Sequence, residues 1–530
     1  MLAFGQKRRE IIAGSVPAPV WGFLFLLLQL LVGGSCERSP GTRTQTGPPD
    51  TADRLAEPRA VGPACHDPGA GPSGQTVSII HVADLHARYA PERDRDPFGA
   101  NPFSRIRGYL DAARAENPYT LFTDGGDDHE KGSLAEVLSE GRATREVVHA
   151  MGFDLRTLGN HDFAWSLDEA LAFSRDPSAV TLCSNMRYTG SETDRFGAVD
   201  YLEIQAGCLR FGFFGMVTRP YDEQSRQYQD DYYPELRARY DFVERAAEIL
   251  ERYGDQVDFM VMLSHLGVDD DRLIAESVPG IDLILGGHSH VAFEQDEPVG
   301  GAILAHPGAW ALTLVKIDLE FELPQRRLAR YRYQLVPNTP GQLSSSSKLE
   351  RAVEEVMARY APGALQDAAW LEHRQDAAGI ARITAEAAIE MLAADAAAVD
   401  VSGVAVAWEA GGVTAQDMLD AFQLERHPPG TTGDSSLYLV NVSGSDLLRV
   451  RDETEGFTFS GPDAVEAAAS YSLALQKPVA LHPADYLPAG VSLESPTFAA
   501  EAWEVLDSLA RARSTSCLFL DSGRPMVDCP

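Results

Sequence analysis

FDLRTLGNHD at residues 153–162 and IDLILGGHSH at residues 281–290 each run from an apolar, strand-like segment into a turn that carries possible metal ligands. Glycine comes directly before the ligands in both stretches, and glycine lets a backbone turn tightly beside a bound ion. Histidine, asparagine and aspartate supply the nitrogen and oxygen donors that metals bind. The two stretches therefore favour an enzyme whose metal centre lies at strand ends.

Three further apolar runs end in the same way. Asp84 and His86 follow the run at 77–83, a Gly-Gly-Asp-Asp-His segment follows the run at 119–122, and His265 closes the run at 257–263. The spacing Asp-x-His puts both side chains on one face of an extended segment. Because ligands gather at the strand ends of an open α/β sheet, we expect these distant residues to converge.

The donor types indicate which ions would bind. Oxygen and imidazole donors without thiolate suit Mn, Zn, Fe, Co or Mg, and they argue against a cysteine-rich structural zinc site. Two ions about 3.5–4 Å apart can activate water and neutralise charge on a phosphoryl transition state. The number of donors fits two ions better than one. The sequence therefore predicts two divalent metal ions.

The complete motif order resembles a known family. Asp-x-His, Gly-Asp, Gly-Asn-His-Asp, His and Gly-His-x-His occur in the order seen in calcineurin-like metallophosphoesterases, in the branch of 5′-nucleotidases, 2′,3′-cyclic phosphodiesterases and UDP-sugar hydrolases. The resemblance covers residues 76–336. It implies an α/β fold, a four-layer αββα sandwich, with a second, smaller α/β (α+β) domain after it. The helical patterns at 103–116 and 233–253, between strand-like runs, agree with such a sandwich.

The same resemblance implies a role for each motif residue. One metal would be held by Asp84, His86 and His290, the other by Asn160, His265 and His288, and Asp127 would bridge them. His161 would face the phosphate without binding metal and would help the leaving group depart. Asp162 would hold the His161 ring, since a carboxylate bonded to one ring nitrogen fixes the tautomer and raises the basicity of the other.

The loop after the second run departs from the family pattern. It has one residue more than usual between Gly126 and Gly132. Asp127 aligns through the residues before it, and Asp128 is the alternative bridging ligand. His129 and Glu130 match no ligand position, so a solvated loop is expected for both.

A second domain is predicted at residues 345–530, after a Pro-, Gly- and Ser-rich break that begins at 337. It resembles the family's substrate-binding domain more weakly, mainly at 412–419 and 437–448. The Asn-Gly-Gly-x-Arg stretch typical of nucleotide-binding members is replaced by VAWEAG at 406–411. Phe457 and Phe459 are predicted to offer rings for a nucleobase, because stacking suits any base. The alternative is that both belong to the core of a strand.

The amino terminus has the pattern of an export signal. Basic residues at 7–9, an apolar run at 21–32 and small residues before Cys36 are typical of such signals. The GGSC sequence resembles a lipoprotein motif, so lipid attachment at Cys36 is predicted, with simple secretion as the alternative. Residues 37–75 are predicted to be a disordered tether. The expected location is the periplasm or cell surface, anchored to a bacterial membrane by lipid.

Charge and cysteine content add further limits. A formal net charge of -33 at pH 7 argues against nonspecific binding to nucleic acid, and no protein partner is predicted. An exported chain can form disulfides. Cys517 with Cys529 and Cys183 with Cys208 are suggested as pairs, although spacing alone does not decide connectivity.

The leading hypothesis is a metal-dependent phosphoesterase that hydrolyses nucleotides or related small phosphate esters through attack of a metal-bound hydroxide. No P-loop and no Gly-x-Ser-x-Gly elbow occurs in the sequence. A cyclic-nucleotide phosphodiesterase or a nucleotide-sugar pyrophosphatase is the alternative within enzymes. A surface binding protein with a structural or vestigial metal site is the alternative from another class.

Overall fold

The computed structural model describes residues 53–65, 73–91, 100–189, 196–219, 221–222, 227–228, 233–422 and 434–526. These residues belong to one compact unit that begins at Asp53. The predicted export signal, Cys36 and the first part of the predicted tether lie outside the described residues. Within the described ranges, no helix is both long enough and apolar enough to cross a membrane.

The first part of the chain alternates strands with helices. Its strands are β1 (Arg59–Val61), β2 (Gly74–Val82), β3 (Thr120–Asp124), β4 (Leu155–Thr157), β5 (Val180–Leu182), β6 (Met186–Tyr188), β7 (Leu202–Ala206), β8 (Leu209–Val217), β9 (Tyr221–Asp222), β10 (Gln227–Tyr228), β11 (Leu236–Ala238), β12 (Phe259–His265), β13 (Leu283–Gly286), β14 (Glu297–Val299), β15 (Ala302–Ala305), β16 (Thr313–Glu322) and β17 (Arg327–Pro337). Its helices are α1 (Pro102–Glu116), α2 (Leu134–Ser139), α3 (Arg142–Met151), α4 (Leu167–Ser174), α5 (Phe242–Tyr253) and α6 (Val268–Ser277).

Two mixed sheets organise this part. One has the strand order β17-β16-β2-β3-β4-β5, and the other has the order β1-β7-β8-β12-β13-β15-β14. Strands β2 to β5 run parallel in the first sheet, and β8, β12, β13 and β15 run parallel in the second. Parallel strands end at the same edge of their sheet, so the residues that follow them are brought close together.

Alternating side chains place the sheets between two helical layers. In β2, Ile79 packs between the sheets, whereas Ile80 packs outward with α1 and α3. In β12, Val261 packs between the sheets and Met262 packs outward with α5 and α6. Successive strand residues point to opposite faces, so a strand apolar at every position is buried on both faces. The predicted four-layer αββα sandwich is confirmed.

The second part contains a smaller sheet with its own helices. Its strands are β18 (Asp367–Leu371), β19 (Ala396–Asp400), β20 (Gly411–Thr414), β21 (Leu437–Ser443), β22 (Phe457–Ser460), β23 (Ser470–Gln476) and β24 (Glu494–Ala500). Its helices are α7 (Ser347–Tyr360), α8 (Ala377–Leu392), α9 (Ala415–Asp420), α10 (Gly444–Glu453), α11 (Lys477–Leu481), α12 (Pro483–Tyr486) and α13 (Ala502–Thr515). The main sheet has the order β22-β19-β23-β21-β24, and β18 pairs with β20. The predicted second α/β (α+β) fold is therefore present.

One apolar cluster joins the two parts. It contains Val147 of α3, Leu349 and Val353 of α7, and Leu506 of α13. The other face of the main C-terminal sheet has a separate cluster that includes Val440 and Leu473. The second part therefore packs on the outer helical layer of the first.

Two sequence predictions about the first part are wrong in detail. The helix predicted at 233–253 covers only α5, because residues 236–238 form β11 and pair with β6. The predicted tether includes β1, which pairs in parallel with β7. Asp53 also contacts Arg245 at 2.9 Å. Residues 53–65 therefore belong to the folded domain, since backbone pairing and an ion pair hold a segment that lacks large apolar side chains.

The predicted cysteine pairing is wrong at Cys208. Cys208 forms a disulfide with Cys65, 143 residues earlier in the sequence, and Cys183 is a buried free thiol. Cys517 is disulfide-bonded, and its predicted partner Cys529 lies outside the described residues. Pairing depends on which thiols the fold brings together, and sequence spacing does not show that.

Candidate dinuclear metal centre

Six of the predicted ligands form two groups that could each hold a metal ion. Asp84, His86 and His290 form one group, and Asp127, His265 and His288 form the other; the ligand atoms within each group lie within 4.8 Å of one another. These residues end or follow β2, β3, β12 and β13, which come from both sheets. The ligands of four of the five apolar runs therefore converge as expected.

The two groups meet at Asp127. Asp127 Oδ2 lies 3.0 Å from His265 Nε2 in its own group and 4.0 Å from His86 Nε2 in the other. Within the first group, His290 Nε2 is 3.1 Å from His86 Nε2 and 3.4 Å from Asp84 Oδ1. A carboxylate between two such groups is placed as a bridging ligand would be.

Asn160, the remaining predicted ligand, follows β4. Its Oδ1 atom is buried and has no hydrogen-bond partner among the described residues. An unpaired buried amide oxygen is costly, and a divalent cation would satisfy it. The donor set of oxygens and imidazoles thus fits a pair of hard or borderline ions.

Hydrogen bonds from the backbone orient two ligand rings. Nδ1 of His265 lies 2.7 Å from the carbonyl oxygen of Gly125, and Nδ1 of His86 lies 3.2 Å from that of His129. A carbonyl only accepts, so each Nδ1 carries the proton and each Nε2 is left as a lone-pair donor for a metal. Burial and the nearby Lys131 ammonium also hold the pKa of His86 well below its ordinary value, which keeps the ring neutral.

The backbone at the centre is held in an uncommon conformation. Five of the predicted ligands have left-handed φ angles: Asp84 54°, His86 46°, Asp127 60°, His288 74° and His290 55°. Each such residue costs about 1–3 kcal/mol, and strain of this kind collects at functional sites. The surrounding fold therefore stabilises a ligand geometry that the local chain disfavours.

Glycine allows two of the ligand loops to touch. A Cβ atom on Gly159 would lie 2.0 Å from Asp127 Oδ1, and one on Gly126 would lie 2.5 Å from the Gly159 nitrogen. The same contact lets the His161 N–H donate to Asp127 Oδ1 at 2.7 Å. Larger residues at either glycine would push the β3 and β4 loops apart.

Charge separates Asp127 from Asp128, the two candidates for the bridge. Burial favours the neutral acid, but His265 and His161 hold the pKa of Asp127 well below its ordinary value. Burial and the neighbouring Asp124 instead raise the pKa of Asp128 well above it. Of the two, Asp127 is the one whose surroundings favour the ionised carboxylate, and Asp127 alone belongs to one of the two ligand groups found among the described residues.

Asp162 does not hold the His161 ring, so that prediction is wrong. Its carboxylate accepts the backbone N–H groups of Asp127 at 3.1 Å, Asp128 at 3.0 Å and Gly159 at 2.7 Å, and lies 2.9 Å from Nδ1 of His129. Adjacent residues in the 3₁₀ turn His161–Phe163 point in different directions, so the two side chains diverge. Asp162 instead shapes the loop that carries Asp127.

Glu130 occupies the place expected for Asp162. Its Oε2 atom lies 2.5 Å from Nδ1 of His161. His129 and Glu130 are fully buried, so the expectation of a solvated loop is also wrong. The extra residue in this loop was the sequence signal that pointed here, and left-handed φ angles at Glu130 (68°) and Lys131 (75°) turn the loop inward.

Trp310 is a second residue that sequence reasoning missed. Its backbone N–H donates to the Asp84 carbonyl at 2.8 Å, and its ring centre lies 4.5 Å from that of His86 and 5.3 Å from that of His290. It forms a wall beside the first ligand group. No motif in the sequence marks it, because a lone tryptophan in a loop has no diagnostic spacing.

Phe457 and Phe459, the predicted nucleobase contacts, lie in β22. This strand pairs antiparallel with β19, and both rings are half-buried against the apolar cluster on that face of the sheet. The strand-core alternative describes their packing. Contact with a substrate remains a prediction.

The fold and the paired ligand groups define a metallophosphoesterase domain. The family model described as calcineurin-like phosphoesterase matches residues 77–292, and this domain belongs to that family. A snake venom 5′-nucleotidase from Gloydius brevicauda is 28% identical over 245 residues, which cover 43% of this chain and 39% of the relative. An apyrase from Tabanus yao is 25% identical over 235 residues, covering 42% and 41%. The chain thus matches about two fifths of the length of these relatives.

A solved structure extends the likeness to the second part. The 5′-nucleotidase precursor from Thermus thermophilus aligns with a TM-score of 0.61 at 16% identity, covering 83% of this chain and 96% of that one. Because only 16% of the aligned residues are identical, this similarity is evidence about the fold. The two-part architecture, with both sheets and the C-terminal domain, is therefore shared.

Proposed function

We propose that this chain is a metal-dependent, 5′-nucleotidase-like phosphoesterase that hydrolyses nucleotides or related small phosphate esters. The observation that carries the proposal is the convergence of two ligand groups on Asp127 at the strand ends of a calcineurin-like domain. Similarity to a 5′-nucleotidase and an apyrase supports a nucleotide as the substrate. The cofactor would be two divalent ions among Mn, Zn, Fe, Co and Mg.

The residues of this chain suit that chemistry. Two bound divalent ions would activate water and neutralise the charge of the phosphate oxygens. Asp127 would bridge them, with Asp84, His86 and His290 on one side and Asn160, His265 and His288 on the other. Nε2 of His161 lies 4.0 Å from Asp127 Oδ2, and the His161 side chain is 11% exposed. His161 therefore faces the centre without belonging to a ligand group, as a proton donor to the leaving oxygen would.

Positive charge beside the centre supports an anionic substrate. The Lys131 ammonium lies 5.8 Å from the Trp310 ring centre. The Arg88 guanidinium lies 5.3 Å from the same ring and is paired with Asp420 at 2.9 Å. Trp310 in turn contacts His86 and His290. In a chain with a net charge of -33, this placement favours an approaching phosphate locally.

We further propose that the protein is exported. The Cys65–Cys208 disulfide supports this, because disulfides persist in oxidising compartments. The predicted signal at 1–36 and lipid attachment at Cys36 would place the enzyme in the periplasm or on the cell surface. Mass spectrometry of the protein from membranes would test this, with Cys36→Ala as the variant expected to lose the lipid.

Phosphate release by the full chain tests the proposed activity. After chelation, each candidate metal would be restored separately and the protein assayed with nucleoside monophosphates, cyclic nucleotides, nucleotide sugars and simple phosphate esters. We expect metal-dependent turnover with a nucleotide among the best substrates. A preference for cyclic nucleotides or nucleotide sugars would move the assignment to the alternative enzymes. Tight metal binding without turnover on any substrate would favour a surface binding protein.

A further inference from the structure

We propose that Glu130 is the positioning residue for His161, and that its carboxylate holds the ring so that Nε2 faces the reacting phosphate. The inference rests on the proposed phosphoesterase function. It assigns to the irregular loop after β3 a part in leaving-group departure.

The geometry constrains the His161 ring on two sides. Nδ1 lies 2.5 Å from Glu130 Oε2, while Nε2 lies 4.0 Å from Asp127 Oδ2 at the meeting point of the two ligand groups. The ring also meets His86 edge-on, with 5.0 Å between ring centres. The nitrogen that contacts Glu130 is therefore the one that points away from the centre.

The contact between His161 and Glu130 is buried, which makes its loss costly. Its side chain is 1% exposed and that of His161 is 11% exposed. A buried carboxylate needs a donor, and the hydrogen bond from Nδ1–H meets this need. The bond fixes a proton on Nδ1 and turns Nε2 towards the centre. The proton on Nε2 then passes to the leaving oxygen as its bond to phosphorus breaks, and Nδ1–H remains with Glu130.

The loop is held so that Glu130 points inward. The Glu130 N–H donates to Glu136 Oε1 at 2.6 Å. On the other side, Gln416 of α9 donates to the Gly132 carbonyl at 2.8 Å and accepts from the Leu134 N–H at 2.9 Å. The C-terminal domain therefore supports the turn that follows Glu130.

Leaving-group dependence tests the role. A nitrophenolate departs without a proton, whereas a nucleoside or alkyl alkoxide needs one. We expect Glu130→Ala to slow hydrolysis of a nucleoside monophosphate or alkyl phosphate about 10²-fold, within the usual range for general acid catalysis, and that of p-nitrophenyl phosphate less than about tenfold. Glu130→Gln keeps an acceptor oxygen without the charge and should fall between Glu130→Ala and the wild type.

The matched control is Glu140→Gln. Glu140 is an exposed glutamate that also has a left-handed φ, 55°, so its replacement should leave both rates unchanged. Bound metal should equal that of the wild type in every variant. Equal losses on both substrate types, or loss of metal from Glu130→Gln, would overturn the positioning role.

Nitrogen-15 spectra of the histidine rings give a readout that is independent of turnover. His161→Asn identifies the His161 Nδ1–H signal, and Glu130→Gln should shift it while the other ring signals stay in place. An unshifted signal would overturn the proposal. A wild-type protein without turnover on any substrate would refute the proposed function, and the spectra would still show whether Glu130 holds the ring.

Discussion

The two halves of the molecule carry function in different ways. In the first half, each predicted ligand lies at or just after a strand end, and the two sheets bring these ends together around Asp127. In the second half, Gln416 and Asp420 of α9 reach the site region: Gln416 contacts backbone groups of the loop after β3, and Asp420 pairs with Arg88. Metal binding accepts few donor types, whereas support and substrate contact can come from many side chains. Function in the first half is therefore visible as motifs, and in the second it is not.

Removing the bridging carboxylate should have the largest effect. Asp127→Asn removes the charge shared by the two groups, so we expect loss of metal and a fall in kcat of about 10³-fold or more, since a metal ion contributes several kcal/mol. Asp128→Asn is the matched control, because this neighbouring buried acid belongs to neither ligand group. Metal analysis and phosphate release would measure both. If only Asp128→Asn lost metal, Asp128 rather than Asp127 would be the bridging ligand.

Replacing His161 should separate turnover from metal binding. His161→Asn removes the group that faces the centre without belonging to a ligand group, so we expect kcat to fall about 10²–10⁴-fold with the metal content unchanged. His149→Asn serves as the control, since the His149 side chain is 55% exposed and pairs with Asp176. If His161→Asn lost metal as Asp127→Asn does, His161 would have to be counted as a ligand.

A change at Gln416 tests whether the second half supports the first. Gln416→Leu leaves the Gly132 carbonyl and the Leu134 N–H without this partner, which should lower the free energy of unfolding by about 1–3 kcal/mol. Hydrolysis of phosphate esters with poor leaving groups should slow modestly, and less than it does in Glu130→Ala. Thermal denaturation and kcat would be measured for both variants and for the double variant. Additive effects on kcat would show that Gln416 and Glu130 act independently.

The rings of β22 should matter for stability more than for substrate binding. Because Phe457 and Phe459 pack on the C-terminal apolar cluster, we expect each change to alanine to lower the free energy of unfolding by about 1–3 kcal/mol with KM nearly unchanged. Denaturant unfolding and nucleotide kinetics would measure the two quantities. A KM raised about tenfold at constant kcat would instead show that the two rings contact the base, as the sequence predicted. The second half would then also have functional residues that the sequence reveals.

The smallest effect should come from Asp53, where the first half begins. Burial would raise its pKa, but Arg245 and its neighbours lower it overall. A carboxyl group with a lowered pKa in the folded state adds stability above its unfolded pKa and loses it as the pH falls. Asp53→Asn should therefore lower stability slightly at pH 7 and less at pH 3, as thermal denaturation would show. Equal loss at both pH values would assign the effect to packing.

Sequence reasoning succeeded where the chemistry restricts the residue type. The ligands Asp84, His86, His265, His288 and His290 were named from the motifs, and the structure gathers them into the two groups. For Asn160, ligation stays a prediction. Sequence reasoning failed where the partner is set by direction in space. Asp162 is adjacent to His161 in sequence, yet its side chain turns to the backbone of the neighbouring loop. Cys183 and Cys208 are near in sequence, yet Cys208 pairs with Cys65.

The sequence by itself determined the fold class and indicated which residues could hold metal ions. Continuous apolar runs dictate strands buried on both faces, and a dinuclear site tolerates few kinds of ligand. Only the tertiary structure decided that Glu130 contacts His161, that Asp127 rather than Asp128 joins a ligand group, and that Gln416 supports the loop after β3. Each of these depends on distance, direction and burial between residues far apart in the chain, which no local pattern encodes.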